Sequence, residues 1–350
     1  MNRRRDLKWT LGLLATFMLC QSAAFAQQAP TFSVVAQIPG SGGAWDYAAI
    51  DEDTRRLYLA QRGVTVLDLK SYRLTTGLLT GGVTHGVVPL GAGKVAVTDS
   101  DSKTVKLFDG ASGKVLADIP TAQYDPISGR HTLDALVWEQ KTGLIVAVNG
   151  ESGILLLIDE KESRVVGSIP LGGKPEFAAA DGAGNVYVNV NEGGVTEIVA
   201  ADIAAERVTR HMPLSGCDDP TGLAYDQSDR LLISVCRNGV AKFVRADSGR
   251  EVASLSVSKG ADAVMFDPNH KLAFVPGAAD GTLSVIAVHG SADIRVIQTV
   301  PTQKGARLGA VDSKTGRIYL PVAKFGPPVA PNPYPSVIAG TFRILVVAPN

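Results

Sequence analysis

The feature that most constrains this chain is a pattern that returns down its whole length. Its clearest copy is Gly172 to Gly194, GGKPEFAAADGAGNVYVNVNEGG: a polar loop, a strand of small residues, a tight turn, then an alternating strand. The same register aligns WDYAAI/DEDTR/RLYLA (45–60), HGVVPL/GAGK/VAVTD (85–99) and DALVW/EQKTG/LIVAVN (134–149). It continues through TGLAY/DQSDR/LLISVC (221–236), DAVMF/DPNHK/LAFV (262–275) and RLGAV/DSKTG/RIYLP (307–321). Asp181, Asp226, Asp267 and Asp312 mark one turn position, at spacings of 45, 41 and 45 residues. A period of this length with several strands per unit is that of a β-propeller, one blade per repeat. No unit carries a sustained helical apolar stripe, which excludes a helical solenoid. The expectation is an all-β, seven-bladed propeller with four-stranded blades.

The ends of the chain complete the ring. TFSVVAQI (31–38), followed by PGSGG, matches RVVGSIPLGG (164–173) at the end of the third unit, an outermost strand. The N-terminal strand therefore joins the last blade, whose third strand is FRILVVAP (342–349), and closure covers a sheet edge that would invite aggregation. Ala48, Ala49, Gly86, Gly222, Ala263 and Gly309 sit on innermost strands, where crowding at the axis requires small side chains. Two connections depart from the period: residues 122–132, and the Pro-rich loop KFGPPVAPNPYPSVIAG (324–340), stiff and extended, a rim ornament or a lid.

The first residues have a basic start, an apolar run from Trp9 to Cys20 and a small-residue ending at Ala24-Phe25-Ala26. This reads as a secretory signal peptide over residues 1–26, cleaved after Ala26, with residues 27–350 as a single propeller domain in the periplasm or secreted. Its apolar run is too short for a stable membrane span, and Phe17-Met18-Leu19 before Cys20 does not suit a lipid anchor. Cleavage leaves 30 basic and 33 acidic residues, a net charge of −3. With no basic stripe, nucleic-acid binding is disfavoured. The mature chain keeps Cys217 and Cys236, which flank one hairpin; pairing Tyr225 with Leu231 brings them to one edge, as a disulfide or as buried thiols. Neither C-x-x-C nor C-x-x-C-H is present, so thiol redox and haem attachment have no support.

These units, with the run from GCDDPTGLAYDQSDRLLISVCRNG to QTVPTQKGARLGAVDSKTGRIYLP, resemble the YVTN-repeat, YncE-like β-propeller proteins of bacteria. The resemblance covers nearly all of the mature chain and implies an exported seven-bladed propeller. It implies no single activity.

Candidate chemistry collects five residues before each turn: Asp46, His85, Asp134, Glu176, Thr221, Asp262 and Arg307. Each is expected to start an innermost strand, so together they ring one mouth of the central channel. Residues ending the second strands, Arg62, Asn149, Arg237 and Lys324 among them, return to that face, as does the Pro-rich loop, with Trp45 and Tyr47 beside the ring. Three readings stay open. The ring is a small-molecule or protein-binding site on a non-catalytic monomeric scaffold, a divalent-cation site built on Glu176, His85 and Asp134, or a solvated structural ring. The cation reading carries an enzymatic alternative, a hydrolase or lyase of the propeller lactonase type. A weaker alternative is single-stranded nucleic-acid binding, with Arg62, Arg237 and Lys324 on the backbone and Trp45 and Tyr47 stacking. No G-x-S-x-G, H-E-x-x-H or Walker loop appears.

Overall fold

A computed structural model describes residues 30–124, 133–328 and 335–350 of the chain. The expected signal peptide lies outside these residues, as do most of the 122–132 connection and the centre of the Pro-rich loop. The described residues form seven four-stranded antiparallel sheets and one small two-stranded sheet. Apart from one 3-10 turn at Ala122–Tyr124, the described residues contain no helix. None is therefore long and apolar enough to cross a membrane.

Each blade is a run of hairpins from the axis outwards. Blade 4, for instance, is Lys174–Ala180, Asn185–Glu192, Val195–Asp202 and Arg207–Pro213. Blade 7 alone draws on both ends of the chain: Ala310–Asp312, Arg317–Val322, Arg343–Pro349 and then Phe32–Pro39. The closing strand pairs antiparallel from Phe32 with Pro349 to Pro39 with Arg343, one residue along from the span read in the sequence.

The alternation of each strand has a simple destination. Both faces of a blade are covered by neighbours, so the core divides into seven apolar clusters, one at every junction. Leu59 and Tyr319 belong to the cluster joining blades 7 and 1, Val97 and Tyr58 to that joining 1 and 2, and Ile145 and Leu107 to that joining 2 and 3. The others lie between blades 3 and 4, 4 and 5, 5 and 6, and 6 and 7. The small inner residues are required by backbone approach. A Cβ on Gly86 would stand 2.4 Å from the Asp134 carbonyl oxygen of the next blade, and one on Gly222 2.5 Å from Ala263.

The aspartates that mark the period are buried turn residues. Asp226, Asp267 and Asp181 each accept a bond from the backbone N–H two residues on, at 3.1, 2.9 and 2.7 Å, the Asx turn that lets a short hairpin close. Several also clasp the following blade. Lys271 of blade 6 donates to Asp226 at 2.8 Å, and Arg55 of blade 1 donates to Asp312 at 2.6 Å. Cys217 and Cys236 form a disulfide with Cα atoms 5.4 Å apart. The hairpin register is Asp226 with Leu231 and Tyr225 with Leu232, one residue from the pairing expected, and Pro220 then stands opposite Cys236.

Candidate functional site

The inner strands do not simply begin at the ring residues. In blades 3, 4 and 5 the register slips between Leu133 and Leu136, Pro175 and Ala178, and Pro220 and Leu223. Asp134, Glu176 and Thr221 therefore sit in β-bulges, where an extra residue re-aims a side chain. Blade 1 does the same without a continuous strand: Asp46 donates its N–H to the Ala60 carbonyl at 2.9 Å, while the Ala60 N–H reaches Tyr47 at 3.0 Å. In blade 2 the Thr98 hydroxyl accepts the N–H groups of both His85, at 3.1 Å, and Gly86, at 2.9 Å.

Most of the charges so gathered are paired. His85 Nδ1 and Asp46 Oδ2 lie 2.7 Å apart. Arg307 reaches Asp262 at 3.0 Å and donates to the Trp45 carbonyl at 2.7 Å. Arg237 bridges Asp219, at 3.1 Å, and Asp262, at 3.5 Å. The Lys174 ammonium pairs with Glu176. Thr221 donates to the Ala261 carbonyl at 2.7 Å. The fully buried Asn149 accepts the Ser152 N–H in its own turn, at 3.2 Å. Asp134 is buried near the charges of Asp46, His85 and Glu176.

The electrostatics follow from that pattern. Burial pushes the Asp134 carboxyl up, and the Asp46 charge adds to it, so that it titrates at about 7. Burial alone would lower the His85 imidazole, but its bond to Asp46 and the Asp46 and Asp134 charges hold it above the ordinary histidine value. Burial also raises Asp262 despite Arg307 and Arg237. The Tyr47 phenol is driven well up, first by burial and then by Asp134, Asp46, Glu176 and Asp262. Both His85 and Asp134 bind their proton more tightly folded than unfolded, so their contribution favours folding at low pH and fades as pH rises through the folded values. Asp134→Asn is accordingly expected to stabilise the protein by about 2 kcal/mol at pH 8 and to change little at pH 4. Denaturant melts at the two pH values check this; an equal effect at both would contradict it.

Among the described residues, Asp46, His85 and Asp134 each offer one ligand atom within 4.8 Å of the others. Glu176, named with His85 and Asp134 from the sequence, is not in that group, since Lys174 holds it. The two aromatic residues are also committed. Trp45 is 4% exposed and packs on Phe325 and Phe342, with ring centroids 5.8 and 5.3 Å apart. Tyr47 of blade 1 meets Phe177 of blade 4 edge-on at 4.9 Å, and its ring packs on the clusters of blades 7 and 1 and of blades 3 and 4. That contact spans the axis.

A cavity of about 1190 Å³ opens at the ring. Asp46, His85, Arg307, Arg62, Lys304 and Lys324 line it. Phe325, Pro335 and Ile338 line it too, from the described ends of the Pro-rich loop, where Phe325–Pro328 and Pro335–Val337 pair as a two-stranded sheet. Sequence reasoning placed Arg62 and Lys324 on this face and missed Lys304. Its position three residues before Arg307, in the connection leading to the same blade, was the available signal.

No protein-family model matches the chain, and no curated protein sequence does. The chain is similar in structure to hydrazine synthase from Kuenenia stuttgartiensis, with a TM-score of 0.68 over 81% of this chain and 92% of that one, at 14% sequence identity. At that identity the likeness is one of fold.

Proposed function

We propose that this chain is an exported, soluble, non-catalytic binding scaffold, related to the YVTN-repeat, YncE-like propellers it resembles, that seats a small ligand at one mouth of its channel. The observation that carries the reading is the cavity of about 1190 Å³ against the polar ring. It is slightly larger than the usual small-molecule site of about 300–1,000 Å³, and it combines apolar walls with a few convergent polar groups. The paired state of the ring supports binding over catalysis, because Asp46, Glu176 and Asp262 are each engaged by a cation of the chain itself. Export to the periplasm or beyond is supported by the signal-like residues 1–26 and by the disulfide. Closure of the ring within one chain supports a monomer.

A cavity-filling variant tests the seat. Ala278→Trp, in the cavity wall, is expected to keep the melting temperature of the parent and to lose the stabilisation that small ligands give it. Ligands that stabilise both proteins equally would place the seat elsewhere.

A second reading, a metal-assisted hydrolase or lyase, is favoured by the proximity of Asp46, His85 and Asp134. These three would hold the cation, which would supply Lewis-acid polarisation. It requires the His85 and Asp46 pair to open. Single-stranded nucleic-acid binding finds less support, since Trp45 is 4% exposed and Tyr47 is engaged edge-on by Phe177.

A further inference from the structure

The charges around the mouth fall into two groups. Three of the ring carboxylates meet partners supplied by the protein: His85 for Asp46, Arg307 and Arg237 for Asp262, Lys174 for Glu176. At the cavity the balance reverses. Asp46 is the one acidic residue among the described residues lining it, and His85 already holds it. Arg62, Lys304 and Lys324 line the same space, and none of their side chains has a hydrogen-bond or ion-pair partner among the described residues. Three unpaired cations in one concavity do not follow from composition, because the chain as a whole balances 34 basic against 34 acidic residues. They come from three separate places in the fold: the turn after the second strand of blade 1, the connection from blade 6 to blade 7, and the start of the Pro-rich loop.

Apart from Thr84 and Gln303, most of the remaining side chains in the wall are apolar, and some are partly uncovered. Phe325 and Ile338 are 41% and 45% exposed, and Ala278, Val83 and Pro335 lie beside them. Like charges held near one another repel, and a low-dielectric wall strengthens their field in the space between them. Both costs are relieved by an anion that brings its own apolar surface.

Building on the small-ligand reading above, we propose that the cavity binds small organic anions, an acidic head group on an apolar body. Arg62, Lys304 and Lys324 face the head group, and Phe325 and Ile338 cover the body. Arg307, tied to Asp262, contributes to the field without being free to pair.

The test uses matched pairs that differ only in charge: 2-naphthoate with 2-naphthamide, and decanoate with decanamide, titrated calorimetrically into the mature protein. The acids are expected to bind at least about tenfold more tightly than their amides, and to weaken as salt rises from about 0.05 to 0.5 M. The variant Arg62→Ala/Lys304→Ala/Lys324→Ala, which changes only exposed side chains, is expected to lose at least that factor for the acids and none for the amides. Amides that bind as well as the acids, or a triple variant that keeps full affinity for the acids, would overturn the anion assignment and leave the ligand seat standing. Absence of binding by all four probes would remove the seat itself and the assignment with it.

Discussion

Removal of Phe32–Pro39 is expected to lower the melting temperature by more than about 10 °C and to make the protein aggregate. The strand lies far in sequence from everything it holds. It supplies the fourth strand of blade 7 through its ladder with Arg343–Pro349. Phe32, 3% exposed, packs edge-on against Phe274 of blade 6 at 5.3 Å, and Ile38 belongs to the cluster joining blades 7 and 1. Losing Phe32 alone should cost about 3–5 kcal/mol, and the deletion also leaves an unpaired edge on Arg343–Pro349. Calorimetry and size-exclusion chromatography of the deletion measure both effects. An unchanged melting temperature would mean that the ring does not depend on this closure.

Asp312→Ala is expected to destabilise by about 3 kcal/mol, more than a surface ion pair would cost. Its carboxylate is fully buried at the junction of blades 7 and 1, where it accepts both the Arg55 guanidinium and the turn N–H of Lys314. The alanine variant strands Arg55, whose side chain is only 15% exposed. Burial pushes the Asp312 carboxyl up, but its bonds from Arg55 and Thr315 outweigh that and leave it below the ordinary aspartate value. Its contribution is therefore complete above the unfolded aspartate value, near 4, and is lost as pH falls through the lower folded value. The gap in stability between parent and variant should close in that acid range. A gap that persists unchanged at pH 2 would show that the charge pair is not its source.

The fold was legible because its determinants are local and repeated. The turn aspartates at Asp181, Asp226, Asp267 and Asp312 fix hairpins through bonds to the next few residues, and such bonds leave a mark at constant spacing. The closing strand was legible for the same reason, since TFSVVAQI copies the end of another unit. The site was less so. A bulge sets two residues against one, which leaves no trace in an alternation pattern, so Asp134 and Glu176 read as strand starts when they are bulge residues. The same limit displaced the disulfide hairpin by one position. Partners across the axis were also hidden. Tyr47 and Phe177 are 130 residues apart and on blades that do not touch as neighbours, and nothing local to either announces the contact. The ion pairs that occupy Asp262 join it to Arg237 and Arg307 of the neighbouring blades, which only the assembled ring sets, whereas Lys174 lies two residues from Glu176 and was a local signal.

The most direct measurement of whether this molecule binds at the channel-mouth cavity is a crystal structure of the mature protein soaked with 2-naphthoate. The carboxylate is expected between Arg62, Lys304 and Lys324, with the naphthyl ring against Phe325 and Ile338. Naphthoate bound on another face, with this cavity holding only solvent, would contradict this.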